Sequence, residues 1–226
     1  MFKIAFVSLL SLPLMAGFFP PTIQTSVKSV EGSTITLESY FPVNGMSGVV
    51  VHNYGKDVNA VTNYLGTSNG KVSLIQTDIL HHDELPTIKT PISVGDKVIG
   101  GYLYDTVLLL APDADTYAKI TSEDKKKWIH PDLFALYLST EGENKPTREN
   151  LAQFAKKYQI GLIYIVQKNS AILLDPISGK IVGQKTMTNI PAQGQFPFYM
   201  RFKKEDSGWW FGSSNTGDYY ETMQAL

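Results

Sequence analysis

Residues 147–166 read TRENLAQFAKKYQIGLIYIV, and this stretch decides the fold of the second half of the chain. Its first four residues are typical of a helix cap. The apolar residues that follow recur at intervals of three and four, which predicts an amphipathic helix. They are Leu151, Phe154, Ala155 and Tyr158. Residues 160–166 are then almost entirely apolar, as in a buried strand.

The segments on either side of this helix and strand predict a mixed sheet. Residues 170–174 and 180–184 are apolar and flank the turn residues 175–179, which predicts a hairpin. Upstream, residues 113–127 carry a helix start signal, and the apolar run 131–138 has the length of a strand. The order strand, helix, strand, hairpin predicts one mixed sheet with covering helices.

The first half of the chain predicts short strands separated by turns. Residues 25–30 alternate polar with apolar side chains, residues 48–54 are rich in β-branched side chains, and Ser68-Asn69-Gly70 is a strong turn signal. Five or six such strands predict a small β-barrel or sandwich.

Taken together, the two halves of the chain predict a fold of mixed β and α/β class. A small β-barrel or sandwich domain would cover residues 18–112, and an α/β sheet domain with an aromatic-rich C-terminal segment would cover residues 113–226.

The N-terminus predicts export. Lys3 precedes an apolar run over residues 4–17, which is shorter than the ~20 residues of a membrane helix. We expect a signal peptide over residues 1–17, cleaved after Ala16 or Gly17. Because Leu14 and Met15 are large for the third position before those cuts, an uncleaved anchor is the alternative. No later segment predicts a transmembrane span, so we expect a periplasmic or cell-surface protein.

Composition excludes several classes of function. The chain has 20 basic and 21 acidic residues with mixed signs, so it lacks the basic stripe of a nucleic-acid binder. Its hydrophobic fraction of 43% is high enough for a folded core. The sequence contains no cysteine, which is ordinary for a bacterial envelope protein and unusual for a small eukaryotic ectodomain.

No motif predicts catalysis, a metal site or a cofactor. Ser47 in Gly45-Met46-Ser47-Gly48 lacks the Gly-x-Ser-x-Gly spacing of a nucleophile elbow. Metal ligands crowd only at residues 81–84, His-His-Asp-Glu, where neighbouring side chains on a strand would point to opposite faces. We interpret that segment as a solvated loop. We therefore expect a protein that binds a protein partner and is not an enzyme.

Two groups of residues are candidates for binding. Lys125, Lys126 and Lys127 lie beside Trp128 and could face an anionic partner, or could complement the dipole of a helix end. Trp209 and Trp210 could be interface anchors, because large aromatic side chains are enriched at interface hot spots, or could close the core of the second domain.

Four stretches of the chain resemble a known family. Residues 19–23, 45–54, 94–98 and 108–112 read FPPTI, GMSGVVVHNY, VGDKV and LLLAP, and they resemble the N-terminal region of bacterial plasminogen-binding proteins. The resemblance implies an exported, surface-associated, non-enzymatic protein that captures host plasminogen. It also implies that lysines in a charged region following this part, including a terminal one, carry the binding. This sequence ends at Ala225-Leu226 without such a region, so the resemblance implies the architecture more strongly than the capture of plasminogen.

The second half also looks like the small α/β modules of envelope and flagellar assembly factors. This likeness concerns architecture alone, and fold does not decide function. A periplasmic envelope or flagellar assembly or scaffold factor is therefore the alternative function.

Overall fold

The computed structural model describes residues 17–56, 58–77, 79, 90–202 and 217–226. The predicted signal segment lies outside these residues apart from Gly17. Within the described part of the chain, no helix has the length and apolar character needed to span a bilayer.

Six antiparallel strands close into a barrel. They are β1 (Ile23–Glu31), β2 (Thr34–Leu37), β3 (Ser47–Asn53), β4 (Asn59–Ser68), β5 (Lys71–Gln76) and β6 (Lys97–Gly100). Their order around the barrel is β1-β2-β5-β4-β3-β6, and β6 pairs with β1 to complete the ring. The β4–β5 hairpin turns at Asn69 and Gly70, both with positive φ, which is the geometry that an Asn-Gly turn favours. The barrel alternative of the predicted fold is thus confirmed.

A five-stranded mixed sheet follows the barrel. Its strands are β7 (Thr106–Leu110), β8 (Lys127–Ile129), β9 (Leu162–Val166), β10 (Ser170–Asp175) and β11 (Lys180–Thr186). They lie in the order β11-β10-β9-β7-β8, with β7 parallel to both β8 and β9 and with β10 antiparallel to its two neighbours. The turn at residues 101–105 carries the chain directly from the barrel strand β6 into β7. The predicted mixed sheet is confirmed.

Four helices are present in the described residues: α1 (Ala114–Glu123), α2 (Pro131–Thr140), α3 (Arg148–Tyr158) and α4 (Tyr219–Gln224). The predicted helix α3 is confirmed, and its start is a capping box in which Thr147 and Asn150 bond each other reciprocally.

The strand expected over residues 131–138 is wrong, because this segment forms α2. His130 caps the helix and Pro131 occupies its first turn, both of which favour a helix start. The apolar run reflects a helix that is largely buried, with Phe134, Ala135 and Leu138 fully inaccessible to solvent. A buried helix and a buried strand can share such a run, so periodicity alone does not separate them.

The barrel and the sheet share one continuous core. Because side chains alternate along a strand, β7 and β9 direct two sets of residues to opposite faces of the sheet. Leu108 and Ile163 face α2 and α3. Val107, Leu109 and Tyr164 on the other face belong to the same buried cluster as the barrel residues Val50 and Leu65. The two parts of the chain are therefore packed together through apolar side chains.

Candidate binding surface

The three predicted lysines occupy the connection between α1 and β8. Helix α1 ends at Glu123, Asp124 is its C-cap, and Lys127 begins β8 opposite Thr106 of β7. The backbone bends between the helix and the strand, where the N–H of Lys126 donates to the carbonyl oxygen of Asp124 at 3.0 Å. At this bend Lys126 is partly buried, while its two neighbours are exposed.

Lys126 is engaged in holding the fold together. Its Nζ donates to the carbonyl oxygen of Tyr104 at 3.3 Å and lies 3.8 Å from the carboxylate of Asp105. The same Nζ lies 5.0 Å from the centroid of the Phe19 ring, which is within the range of a cation–π contact. Lys126 thus joins the turn between barrel and sheet to the start of the described chain.

Lys125 and Lys127 are exposed to solvent. Trp128, the next residue, turns inward and donates its Nε1–H to the carbonyl oxygen of Asp124 at 3.0 Å. Of the three predicted lysines, Lys125 and Lys127 have the accessibility that a binding residue requires. Trp209 and Trp210, the other predicted binding residues, lie outside the described residues.

The aromatic pair Phe18-Phe19 packs into the sheet beside the lysine segment. Phe18 contacts Tyr164 edge to face at 5.1 Å between ring centroids, and Lys185 lies 4.6 Å above the Phe18 ring. Burial, followed by the charges of nearby acidic residues, raises the pKa of the Tyr164 hydroxyl. In the sequence these phenylalanines directly follow the expected signal segment 1–17, and nothing local indicated that they pack in the folded body.

A buried carboxylate joins the barrel to the β10–β11 turn. Asp175 is completely inaccessible, and its Oδ2 accepts the backbone N–H of Ser47 at 2.7 Å and the hydroxyl of Tyr104 at 2.6 Å. Its Oδ1 accepts the backbone N–H groups of Ile177 and Ser178 at 2.8 and 3.0 Å. The Asp-Pro dipeptide at the turn indicates the bonds to Ile177 and Ser178, since aspartate commonly accepts a hydrogen bond from the backbone N–H two residues further on. The bonds to Ser47 and Tyr104 had no such signal.

Ser47 is a structural residue of the barrel entrance. Its side chain is almost fully buried, and its N–H is fixed by Asp175. Burial and the Asp175 carboxylate raise the pKa of the neighbouring Tyr104 hydroxyl, so this group stays protonated as a donor.

The carboxyl ends of the parallel strands are filled by the chain itself. In open α/β sheets, ligands bind in a crevice outside the carboxyl ends of the strands, and the corresponding position in this mixed sheet is the carboxyl ends of the parallel neighbours β7 and β9. The hydroxyl of Tyr219 in α4 donates to the carbonyl oxygens of Leu110 and Val166 at 3.0 and 2.8 Å. Tyr219 is 1% exposed, so this crevice is occupied by a buried ring.

No group of three or more potential metal ligands is found among the described residues. The His81-His82 segment lies outside them, so its interpretation as a loop stays a prediction.

A closed six-stranded barrel joined to a five-stranded mixed sheet is the architecture of the described chain. Comparison with known families shows that the chain belongs to the family described as plasminogen-binding protein pgbA, N-terminal, whose model matches residues 22–226. The resemblance noted from the sequence is thus confirmed.

Two curated relatives support this assignment at low identity. The chain is 25% identical over 191 residues to the plasminogen-binding protein PgbA of Helicobacter pylori strain J99, and 26% identical over 191 residues to PgbA of strain 26695. Each alignment covers 82% of this chain and 41% of the relative, so the chain spans less than half the length of these relatives. No solved structure matches the chain.

Proposed function

We propose that this chain is an exported, non-enzymatic binding protein of the bacterial envelope, and that its partner is host plasminogen. The observation that carries the proposal is the family match over residues 22–226, since the relatives in Helicobacter pylori are named for plasminogen binding. The proposed location, periplasm or cell surface, rests on the apolar leader of the sequence.

The geometry of the sheet supports binding over catalysis. The crevice where a doubly wound sheet would hold a substrate is filled by Tyr219. A chain that seals this position with its own buried ring is better suited to act through its outer surface.

The ligand-facing lysines of this proposal are Lys125 and Lys127. Both are exposed, whereas the ammonium group of Lys126 is already in contact with Tyr104, Asp105 and Phe19. Trp209 and Trp210 are proposed as interface anchors on the strength of their residue type.

The direct test measures binding of the purified chain to immobilised plasminogen. The double variant Lys125→Glu/Lys127→Glu should weaken binding by about tenfold or more, which corresponds to the loss of one or two charged contacts. Free lysine, added to the assay, should compete with the chain for binding to plasminogen. The matched control is Lys28→Glu/Lys71→Glu, which makes the same change of charge at exposed positions on the barrel. Equal binding by both double variants would exclude the proposed lysines, and no binding by the unaltered chain would exclude plasminogen.

The proposed location is tested by protease treatment of intact cells. Cleavage of the protein in intact cells supports a surface binder. Cleavage only after the outer membrane has been permeabilised supports a periplasmic location and favours the second candidate.

The second candidate is a periplasmic envelope or flagellar assembly or scaffold factor. Strand β11 favours it, because it lies at the edge of the sheet and pairs with β10 alone among the described strands. Such an edge can accept an extended segment of a partner as an added strand. A photo-crosslinking amino acid at the exposed position Gln184 should then capture an envelope protein in living cells, and the same group at Lys28 should not.

A further inference from the structure

A small apolar cleft lies where the barrel, α3 and the β10–β11 turn meet. Its volume is about 240 Å³. Leu103 and Ile160 contribute to its lining from the connection to β7 and from the entry to β9, while Ile75 of β5 and Ile177 of the turn line it from either side. Ile75 is 42% exposed although it is a large aliphatic side chain. An apolar concavity of this kind at the junction of two structural units is where binding sites commonly form.

The walls of this cleft are fixed by contacts that do not depend on a ligand. A Cβ added to Gly161 would lie 2.2 Å from the carbonyl carbon and oxygen of Leu103, so these two backbone segments are in direct contact. Asp175 holds the N–H of Ile177 at 2.8 Å, and the Ser178 hydroxyl donates to the carbonyl oxygen of Gly45 at 2.6 Å. The walls of the cleft are therefore already ordered before a ligand binds, and little of the binding free energy is lost in ordering them.

Among the described residues, the charged side chains that line the cleft are all of one sign. Lys156 of α3 is the only charged residue in that part of the lining, which includes no carboxylate. The adjacent Lys157 is directed to the rings of Tyr137 and Tyr158, at 5.7 and 5.8 Å from their centroids. Lys156 and Lys157 both complement the dipole at the end of α3, but only Lys156 also lies at the cleft. This arrangement favours a ligand with an apolar body and an anionic end.

We propose that this cleft is a docking site for a protein partner, and that it receives a bulky apolar side chain adjacent to a carboxylate that contacts Lys156. The inference rests on the proposed function as a binding protein and names a second contact surface for it. The volume exceeds that of the ~150 Å³ apolar cavity that admits benzene, so an indole or a branched aliphatic group can enter. Buried anchors of this type in preformed pockets dominate the affinity of protein interfaces.

The first experiment uses N-acetyl-tryptophan as a probe, because it joins an indole to a carboxylate. Added to the isotopically labelled chain, it should shift the backbone NMR signals of Ile75, Leu103 and Ile177. N-acetyl-tryptophanamide, which lacks the carboxylate, should bind about tenfold more weakly, as expected for the loss of one charge-assisted hydrogen bond. Shifts confined to other regions, or equal affinity for the two probes, would overturn the inference.

Three variants locate the site. Lys156→Glu should weaken binding of N-acetyl-tryptophan by about tenfold or more, while Lys157→Glu, the same change one residue further on, should stay within about twofold. Ala152→Trp places a large ring in the cleft and should abolish binding. Ile75→Asp tests the opposite wall at an exposed position, which keeps the test decisive if the Ala152 variant does not fold. Unchanged binding by Lys156→Glu and Ile75→Asp would contradict the proposal.

The same variants separate this inference from the proposed function. If plasminogen binds the unaltered chain and both Lys156→Glu and Ile75→Asp bind it equally well, the cleft is not a docking site while the proposed function stands. If the probe binds in the cleft as expected and plasminogen does not bind, the cleft is supported and plasminogen is excluded as the partner.

Discussion

The carboxylate of Asp175 accepts the backbone N–H of Ser47 at 2.7 Å, and this bond joins two residues that are 128 positions apart in the chain. Ser47 begins a barrel strand and Asp175 ends a strand of the mixed sheet. Because the carboxylate is completely buried, its hydrogen bonds are not replaced by water when one partner is removed. The pair therefore couples the stability of the barrel to that of the sheet.

We predict that Asp175→Asn lowers the free energy of unfolding by about 2–4 kcal/mol, a range set by the cost of leaving buried groups unsatisfied. Each carboxylate oxygen accepts two hydrogen bonds, so an amide NH₂ in either orientation faces two donors. Urea unfolding followed by tryptophan fluorescence measures the effect. Asp105→Asn, at a largely exposed carboxylate, is the control and should change stability by less than about 0.5 kcal/mol.

The neighbouring residues Lys126 and Lys125 should differ in their effect on stability. Lys126→Met removes the bond to the Tyr104 carbonyl, the ion pair with Asp105 and the contact with Phe19, and we expect a loss of about 1 kcal/mol. Lys125→Met should be neutral within about 0.5 kcal/mol. Thermal unfolding of the two variants side by side provides the measurement. A Lys126 variant as stable as the unaltered chain would show that its contacts contribute nothing.

Tyr219→Phe tests the ring that fills the crevice between β7 and β9. The substitution keeps the ring and removes the hydroxyl that donates to Leu110 and Val166, so two buried carbonyl groups lose their shared donor. We expect a loss of about 1–2 kcal/mol and faster hydrogen exchange at α4. Tyr40→Phe, at a ring that is 70% exposed, should have no measurable effect. Unchanged exchange at α4 would contradict the assigned role.

Stability should depend on pH through His130. Its Nδ1 accepts the N–H of Asp132 as the cap of α2, which requires the neutral ring. Burial is the main cause that lowers the pKa of His130 below 6.5; Arg201 lowers it further, while Asp132 opposes the shift. The rings of Tyr117 and Tyr199 also face this group.

The sign of this dependence follows from proton binding. The unfolded chain takes up the proton on His130 at a higher pH than the folded chain, so stability is full above pH 6.5 and falls as the pH drops below it. His130→Asn retains a good helix cap without a titrating group. The unaltered chain should therefore lose more stability than this variant between about pH 7 and pH 5. If the unaltered chain and the His130→Asn variant lose the same stability over this pH range, the role of His130 is refuted.

Local signals in the sequence predicted some elements well. The capping residues Thr147 and Asn150 and the spacing of Leu151 and Phe154 lie within one helix, so α3 could be located from neighbouring residues alone. The turn at Asn69-Gly70 was predicted for the same reason, because its residue types set its backbone conformation.

Features that depend on distant residues could not be predicted. Helix α2 was expected to be a strand because it is apolar on most sides, as a buried strand is. It is apolar because it is buried against the sheet and other helices, and the sequence alone does not show which elements cover it. Closure of the barrel requires β6 to pair with β1, about 75 residues away, and no local pattern specifies that register. Among the lysines that the sequence offered as binding candidates, Lys126 could not be distinguished from Lys125 without knowing the position of Phe19.

The packing of Phe18 on Tyr164 also bears on how the protein is made. These rings meet across roughly 150 residues, and Phe18 further contacts the backbone at Gly183 through its carbonyl oxygen. At a synthesis rate of roughly 5–20 residues per second, Phe18 emerges from the ribosome roughly 7–30 s before its partner exists. During that interval its apolar ring is exposed, and the nascent polypeptide cannot complete its core. The unfolded chain thus has time to engage a chaperone, and the export proposed for it would have to take place within this interval, before folding closes that route.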